Sequence, residues 1–159
     1  MLALKDMRLM AFLLLFSLFI STQAQALCVI ASKANLRAKP SANAKKLWTV
    51  GKYMPFFELD EQGGWYLVKD LEGKKMWIAK GLVTDEIDCM VVKVNKTNLR
   101  KGPGTEFNQT PLTYATKYMP FKKLQREDAW LYAQDDFGFK HWIHEKNIWE
   151  PLAYTRVNY

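Results

Sequence analysis

A chain that repeats itself must fold its halves alike, and this one repeats itself at an almost fixed spacing. Ala34-Asn35-Leu36-Arg37-Ala38-Lys39-Pro40 returns as Thr97-Asn98-Leu99-Arg100-Lys101-Gly102-Pro103, an offset of 63, with the Asn-Leu-Arg core and the proline unchanged. Lys52-Tyr53-Met54-Pro55-Phe56 returns unaltered as Lys117-Tyr118-Met119-Pro120-Phe121, an offset of 65. At that offset Leu59 meets Leu124, Trp65 meets Trp130, Asp70 meets Asp135, Gly73 meets Gly138, and Trp77-Ile78 meets Trp142-Ile143. Chance does not keep one register across so many rare aromatics. The chain holds two copies of one unit, the second carrying two extra residues before its Lys-Tyr-Met-Pro-Phe segment.

Each copy reads as short strands parted by turn chemistry. Cys28-Val29-Ile30-Ala31 and Met90-Val91-Val92-Lys93-Val94 are β-branched openings. Lys39-Pro40-Ser41 and Lys101-Gly102-Pro103-Gly104 impose a loop after each Asn-Leu-Arg. Asp70-Leu71-Glu72-Gly73 turns Trp65–Val68 into Lys75–Ile78, and Asp135-Asp136-Phe137-Gly138 turns Trp130–Ala133 into His141–His144. No segment of either copy holds a helical period over three turns, so the class is all-β. Copies of this size lie near the lower limit for burying a core, and a sheet curled into a small barrel hides its edges most economically. Thr84 to Asp88 forms a short acidic link.

The first 26 residues read as a secretory signal peptide. Lys5 and Arg8 give a basic start, Leu9–Ile20 is apolar apart from Ser17, and Ala24-Gln25-Ala26 ends the segment. The apolar run is shorter than the roughly 20 residues that span a bilayer, which argues against an uncleaved anchor. Leu27 directly before Cys28, and Gln25 three positions before it, depart from a lipidation signal, which has a small residue and usually a leucine there. Export places Cys28 and Cys89 in an oxidising space, where the two pair most simply with each other as an intrachain disulfide. The exported chain then lies in the periplasm or outside the cell, with no membrane span in its mature part.

With the Asn-Leu-Arg segment, the Gly/Pro loop, the proline-bearing strand and a W-x4-D-x2-G-x3-W-I hairpin in place, the chain resembles the tandem bacterial SH3-like exported proteins. The resemblance covers nearly all of the chain after the leader, twice. It implies an all-β fold of two small SH3-like β-barrels, over residues 27–84 and 89–150, with 151–159 as a C-terminal tail. Copy one departs from the pattern at Lys39-Pro40-Ser41, where the family prefers Gly-Pro. Members often accompany cell-wall hydrolases, so the resemblance implies a non-catalytic envelope-binding module. Its ligand would be a peptidoglycan peptide, an extended peptide or another envelope protein. The rival is a structural or assembly protein whose aromatics form the contact between domains.

Composition bounds the chemistry. Two cysteines and two histidines cannot furnish both a structural zinc site and a nucleophilic centre, so no metal, cofactor or enzymatic activity is expected. His141 and His144, three apart on a strand, face opposite ways and cannot clamp a metal together; both read as ordinary strand residues. The formal charge is +7, but Lys122, Lys123 and Arg126 run directly into Glu127 and Asp128, a mixed surface rather than a nucleic-acid stripe. A monomer that binds no nucleic acid is expected.

Strand alternation sorts the aromatics. Leu131, Ala133, Ile78 and Ile143 read as core, which turns Trp130 and Tyr132 outward, with Trp77, Trp142 and His144 on the opposite face from the isoleucines. The candidate ligand residues are therefore Tyr118, Trp130, Tyr132, Trp142 and His144 in copy two, and Trp65 and Trp77 in copy one. Copy two, with more aromatic and imidazole groups, is expected to dominate.

Overall fold

The computed structural model describes residues 25–151. The leader ascribed to residues 1–26 falls outside them except for Gln25 and Ala26, and the tail falls outside except for Pro151. Among the described residues no helix is long and apolar enough to cross a membrane.

The first unit contains β1 (Ala26–Val29), β2 (Ala34–Arg37), β3 (Lys46–Val50), β4 (Pro55–Gln62), β5 (Trp65–Lys69), β6 (Lys75–Ala79) and β7 (Val83–Thr84). The second contains β8 (Cys89–Val92), β9 (Lys96–Arg100), β10 (Gln109–Thr116), β11 (Pro120–Glu127), β12 (Trp130–Gln134), β13 (Lys140–His144) and β14 (Ile148–Trp149). Short 3₁₀ turns, Lys80–Leu82 and Glu145–Asn147, precede β7 and β14. Hydrogen bonding orders the strands β3-β2-β6-β5-β4-β1-β7 and β10-β9-β13-β12-β11-β8-β14, all neighbours antiparallel. The two sheets thus have one topology, as the repeat requires.

Buried side chains from all seven strands of the first unit, among them Leu27, Leu36, Val50, Phe56, Val68, Ile78 and Val83, form one cluster, so the sheet must curl over its own inner face. It does not close. Among the described residues β3 and β7, like β10 and β14, do not pair with each other, and the units are open seven-stranded sheets rather than the closed barrels expected. The physical reason is the last strand: two residues long and entered through a 3₁₀ turn, it presents almost no edge for closure.

The repeated motifs have structural explanations. In Asn-Leu-Arg, the leucines 36 and 99 are fully buried. Asn35 Oδ1 accepts from the Thr49 hydroxyl at 2.8 Å, and Asn98 Oδ1 accepts from Gln109 Nε2 at 3.0 Å, tying each strand to its neighbour. Arg37 Nη1 donates to the Ala44 carbonyl at 2.7 Å; Arg100 Nη1 donates to the carbonyls of Thr105 and Phe107 at 2.9 and 2.7 Å. Each arginine closes the loop that follows it. In the Asp-x-x-Gly turns, Asp70 Oδ1 accepts from the amides of Glu72 and Lys74, and Asp135 Oδ1 from those of Phe137 and Phe139. Gly73 and Gly138 supply the left-handed φ of 80° and 92° that these turns need. In Lys-Tyr-Met-Pro-Phe the tyrosines themselves adopt φ 69°, uncommon for a bulky residue. The strain is held by paired backbone bonds, Tyr53 N–H to Val29 O and Val29 N–H to Met54 O, repeated by Tyr118, Val92 and Met119. One ion pair is inverted between copies: Lys80–Glu61 in the first becomes Glu145–Arg126 in the second.

The units are joined in three ways. Cys28 and Cys89 form a disulfide, with Cα atoms 5.5 Å apart and Tyr53 and Ile87 packed around it. Val91, Tyr118 and Trp149 of the second unit pack on the core of the first. Trp48 meets the Tyr118 ring edge-on at 5.1 Å, and Lys117 Nζ lies 2.5 Å from Glu72 Oε1. Lys117 and then the Tyr118 hydroxyl hold the Glu72 carboxyl below its ordinary range. A depressed carboxyl contributes stability above its unfolded pKa and loses it as pH falls, so this link weakens in acid; Glu72 is exposed, and the effect is small. The aromatic contact matters more. Trp48→Ala is expected to lower the urea midpoint by an amount equivalent to about 2 kcal/mol, with faster amide exchange at Tyr118 and Met119.

Candidate functional site

The outward face of the β12–β13 hairpin gathers four of the candidate residues. The register pairs Trp130 with His144 and Tyr132 with Trp142, and directly paired residues on antiparallel strands share a face. The residues between them, Leu131, Ala133 and Ile143, are fully buried on the other face. Tyr132 and Trp142 stack at 4.8 Å with planes 27° apart; Trp130 and His144 meet edge-to-face at 5.1 Å. Trp142 is 8% exposed and forms the floor, while Trp130, Tyr132 and His144 are half-buried. His144 Nδ1 accepts from the Lys146 amide at 3.2 Å, leaving Nε2 to carry the hydrogen of the neutral ring. Burial, and then the Lys146 charge, hold its pKa below the ordinary histidine value.

Beside Trp130 and His144 opens a pocket of about 340 Å³. Its walls carry Lys96, Arg100 and Lys146, with Thr97, Asn98 and Asn147 between them. Asn147 Nδ2 donates to Thr97 Oγ1 at 2.8 Å, fixing the 3₁₀ turn against β9. None of these cations was singled out from sequence. The signal lay in the repeat itself, since Lys146 stands where copy one has Gly81, and His144 where it has Ala79.

Copy one builds a poorer face. Its register sets Trp77 against Leu67 and Trp65 against Ala79, one aromatic per pair instead of two aromatic-type rings. Tyr118 stands apart from the strip altogether, edge-on to Trp48 at the contact between units. Burial, and then the Asp70 charge, push its hydroxyl pKa up, so it stays neutral in ordinary alkaline buffers.

His141 lies in β13 with its side chain turned into the core. It is 2% exposed, two positions from Ile143 on the inner face, where copy one carries the buried Met76. Its Nε2 lies 3.2 Å from Asp135 Oδ2, its Nδ1 2.9 Å from Thr110 Oγ1, and Phe121 meets its ring edge-on. A carboxylate only accepts, so Nε2 donates to Asp135, while the Thr110 hydroxyl, beside Nδ1, also donates to the Leu112 carbonyl at 2.8 Å. The order hydroxyl–imidazole–carboxylate is that of a nucleophile, base and orienting acid. Thr110, His141 and Asp135 are all buried, however, with no more than 6% exposure, and a nucleophile needs substrate access. The chain satisfies polar groups inside the core. Among the described residues no group of three His, Cys, Asp or Glu side chains is placed to hold a metal ion.

No curated protein matches the sequence. Among solved structures, NlpC1 from Trichomonas vaginalis is similar at 15% identity and TM-score 0.33, over 80% of this chain and 46% of that one. NlpC2 from the same organism gives 12% and 0.35, over 86% and 51%. This chain thus spans about half the length of either. An endolysin chain, LysPBC5 CBD, gives 17% and 0.31, over 82% and 96%. The family model of the bacterial SH3 domain matches residues 32–84, which run from just before β2 to the end of β7. The match to the bacterial SH3 domain thus covers most of the first unit, and the second unit repeats its strand order.

Proposed function

We propose that the chain is a non-catalytic binding module of the cell envelope, made of two SH3-like domains over residues 27–84 and 89–150. It acts as a monomer after export to the periplasm or beyond. The second domain carries the ligand face, formed by Trp130, Tyr132, Trp142 and His144, and its ligand is a peptide of the cell wall. The observation that supports this most is the outward pairing of four rings on one hairpin face. Rigid aromatics over a shallow groove suit an extended chain, since they offer contact area at little entropic cost.

The test is co-sedimentation of the full chain with purified peptidoglycan sacculi. Removing one half-buried ring costs about 2 kcal/mol, so Tyr132→Ala is expected to weaken retention roughly thirtyfold. Leu67→Ala, the equivalent change in the first domain, is expected to stay within about twofold. Loss with the second variant and not the first would overturn the assignment.

A structural role for some aromatics has its own support, in the packing of Trp48, Tyr118 and Trp149 between the units. The two roles divide the rings between them. Iodide is expected to quench Trp130 emission and to leave that of Trp48 largely unchanged.

A further inference from the structure

We infer that the pocket beside Trp130 is a carboxylate subsite, which anchors one end of the peptide lying along the aromatic strip. This deepens the binding reading given above and rests on it. Three observations carry it.

The first is uncompensated charge. Lys96, Arg100 and Lys146 line the pocket, and no acidic residue does. Of the acids on the neighbouring surface, Glu145 is engaged with Arg126 and Glu150 with Lys123, and Glu127, opposite Trp130 on β11, does not line the pocket. Among the described residues no carboxylate lies within ion-pairing distance of Lys96, Arg100 or Lys146. Three cations brought together without an acid raise the local potential and favour an incoming anion.

The second is the divergence of the two copies. Where the second has Thr97, His144, Lys146 and Asn147, the first has Ala34, Ala79, Gly81 and Leu82. All four changes replace an apolar or absent side chain with a polar one, and all four line the same pocket. The frame residues stay the same: Lys33, Asn35, Arg37 and Trp65 match Lys96, Asn98, Arg100 and Trp130. A shared fold does not need these changes, because the first unit builds the same sheet without them.

The third is the neighbourhood, which selects among anions. The wall of the pocket is the Trp130 indole, and the strip continues into the uncharged Tyr132–Trp142 stack. A polyphosphate chain would want cations along its whole path. A peptide bearing one carboxylate wants a cationic end and an apolar track, and Arg and Lys form their strong hydrogen bonds to such a group.

The test is an NMR titration of the isotopically labelled full chain, followed at the Trp130 indole N–H and the Lys146 amide. The probes are acetyl-Ala-Ala-Ala with a free C-terminus, its C-terminal amide, and the amidated acetyl-Ala-Glu-Ala. A saturable shift with the free acid, at least tenfold weaker with the amide, is expected. Lys146→Gln, on an exposed turn residue, is expected to weaken the acid about tenfold and leave the amide unchanged. Raising salt from 50 to 500 mM is expected to weaken it too, because exposed charges are screened. Equal response to amidated Ala-Glu-Ala would still support the site and would name a side-chain carboxylate as its source. Equal binding of acid and amidated Ala-Ala-Ala, or shifts with inorganic phosphate and none with either carboxylate peptide, would overturn it. Sacculus retention separates the two readings. If Tyr132→Ala loses retention while charge has no effect on peptide binding, only the subsite fails. If no form is retained but acid peptides bind through Lys146, only the envelope reading fails.

Discussion

Replacing Cys28 and Cys89 together by alanine is expected to destabilise the chain by about 4 kcal/mol. The disulfide spans 61 residues, and closing a loop of that length removes this much conformational freedom from the unfolded chain. Domains of this size have only about 5–15 kcal/mol in total, so the loss would move the urea midpoint far down. The effect should not stop at the first unit. Cys28 lies in β1 and Cys89 opens β8, and both are buried against Tyr53, whose left-handed backbone is bonded to Val29 in β1. Urea unfolding with and without reductant checks this, with tryptophan emission as the probe. A midpoint unchanged by reduction, with thiols confirmed free, would show that the bridge is incidental to stability.

His141→Ala is expected to cost a further large amount, about 3–5 kcal/mol. Removing the imidazole leaves Asp135 Oδ2 as an uncompensated buried carboxylate oxygen and opens a cavity beneath Phe121. Asp135 Oδ1 would still hold the hairpin turn through the amides of Phe137 and Phe139, so the loss belongs to the core and not to the turn. The double variant His141→Met with Asp135→Asn separates the two causes. It removes the buried charge and restores the volume that Met76 fills in copy one, and it should recover most of the lost stability. If His141→Ala alone changes the midpoint by less than about 1 kcal/mol, the buried chain is not a structural element of the core.

Local chemistry made much of this protein legible before any coordinates. Period-two alternation put Leu131, Ala133 and Ile143 inside, all of them fully buried, and turned Trp130, Tyr132, Trp142 and His144 to one outward face. The Asp-x-x-Gly turns announced the hairpins because a glycine at positive φ and an aspartate accepting from two amides are needed there whatever surrounds them. The same alternation puts His141, two residues from Ile143, on the inner face, where it is buried.

What alternation cannot decide is how distant pieces meet. Tyr118 reads like any groove aromatic; its place against Trp48 follows from how Val91 and Trp149 seat the second unit on the first core. The basic pocket joins β9, β12 and the 3₁₀ turn, with some 50 residues between Lys96 and Lys146, so no local pattern could assemble it. Closure of the sheets was likewise beyond reach, because it depends on whether a two-residue strand meets the far edge. The sequence by itself determined the all-β class, the duplication and the inward and outward faces, since these follow from spacing along one chain. Only the tertiary structure decided the contact between units, the open sheets and the convergence of three cations, since those depend on which surfaces pack together in space.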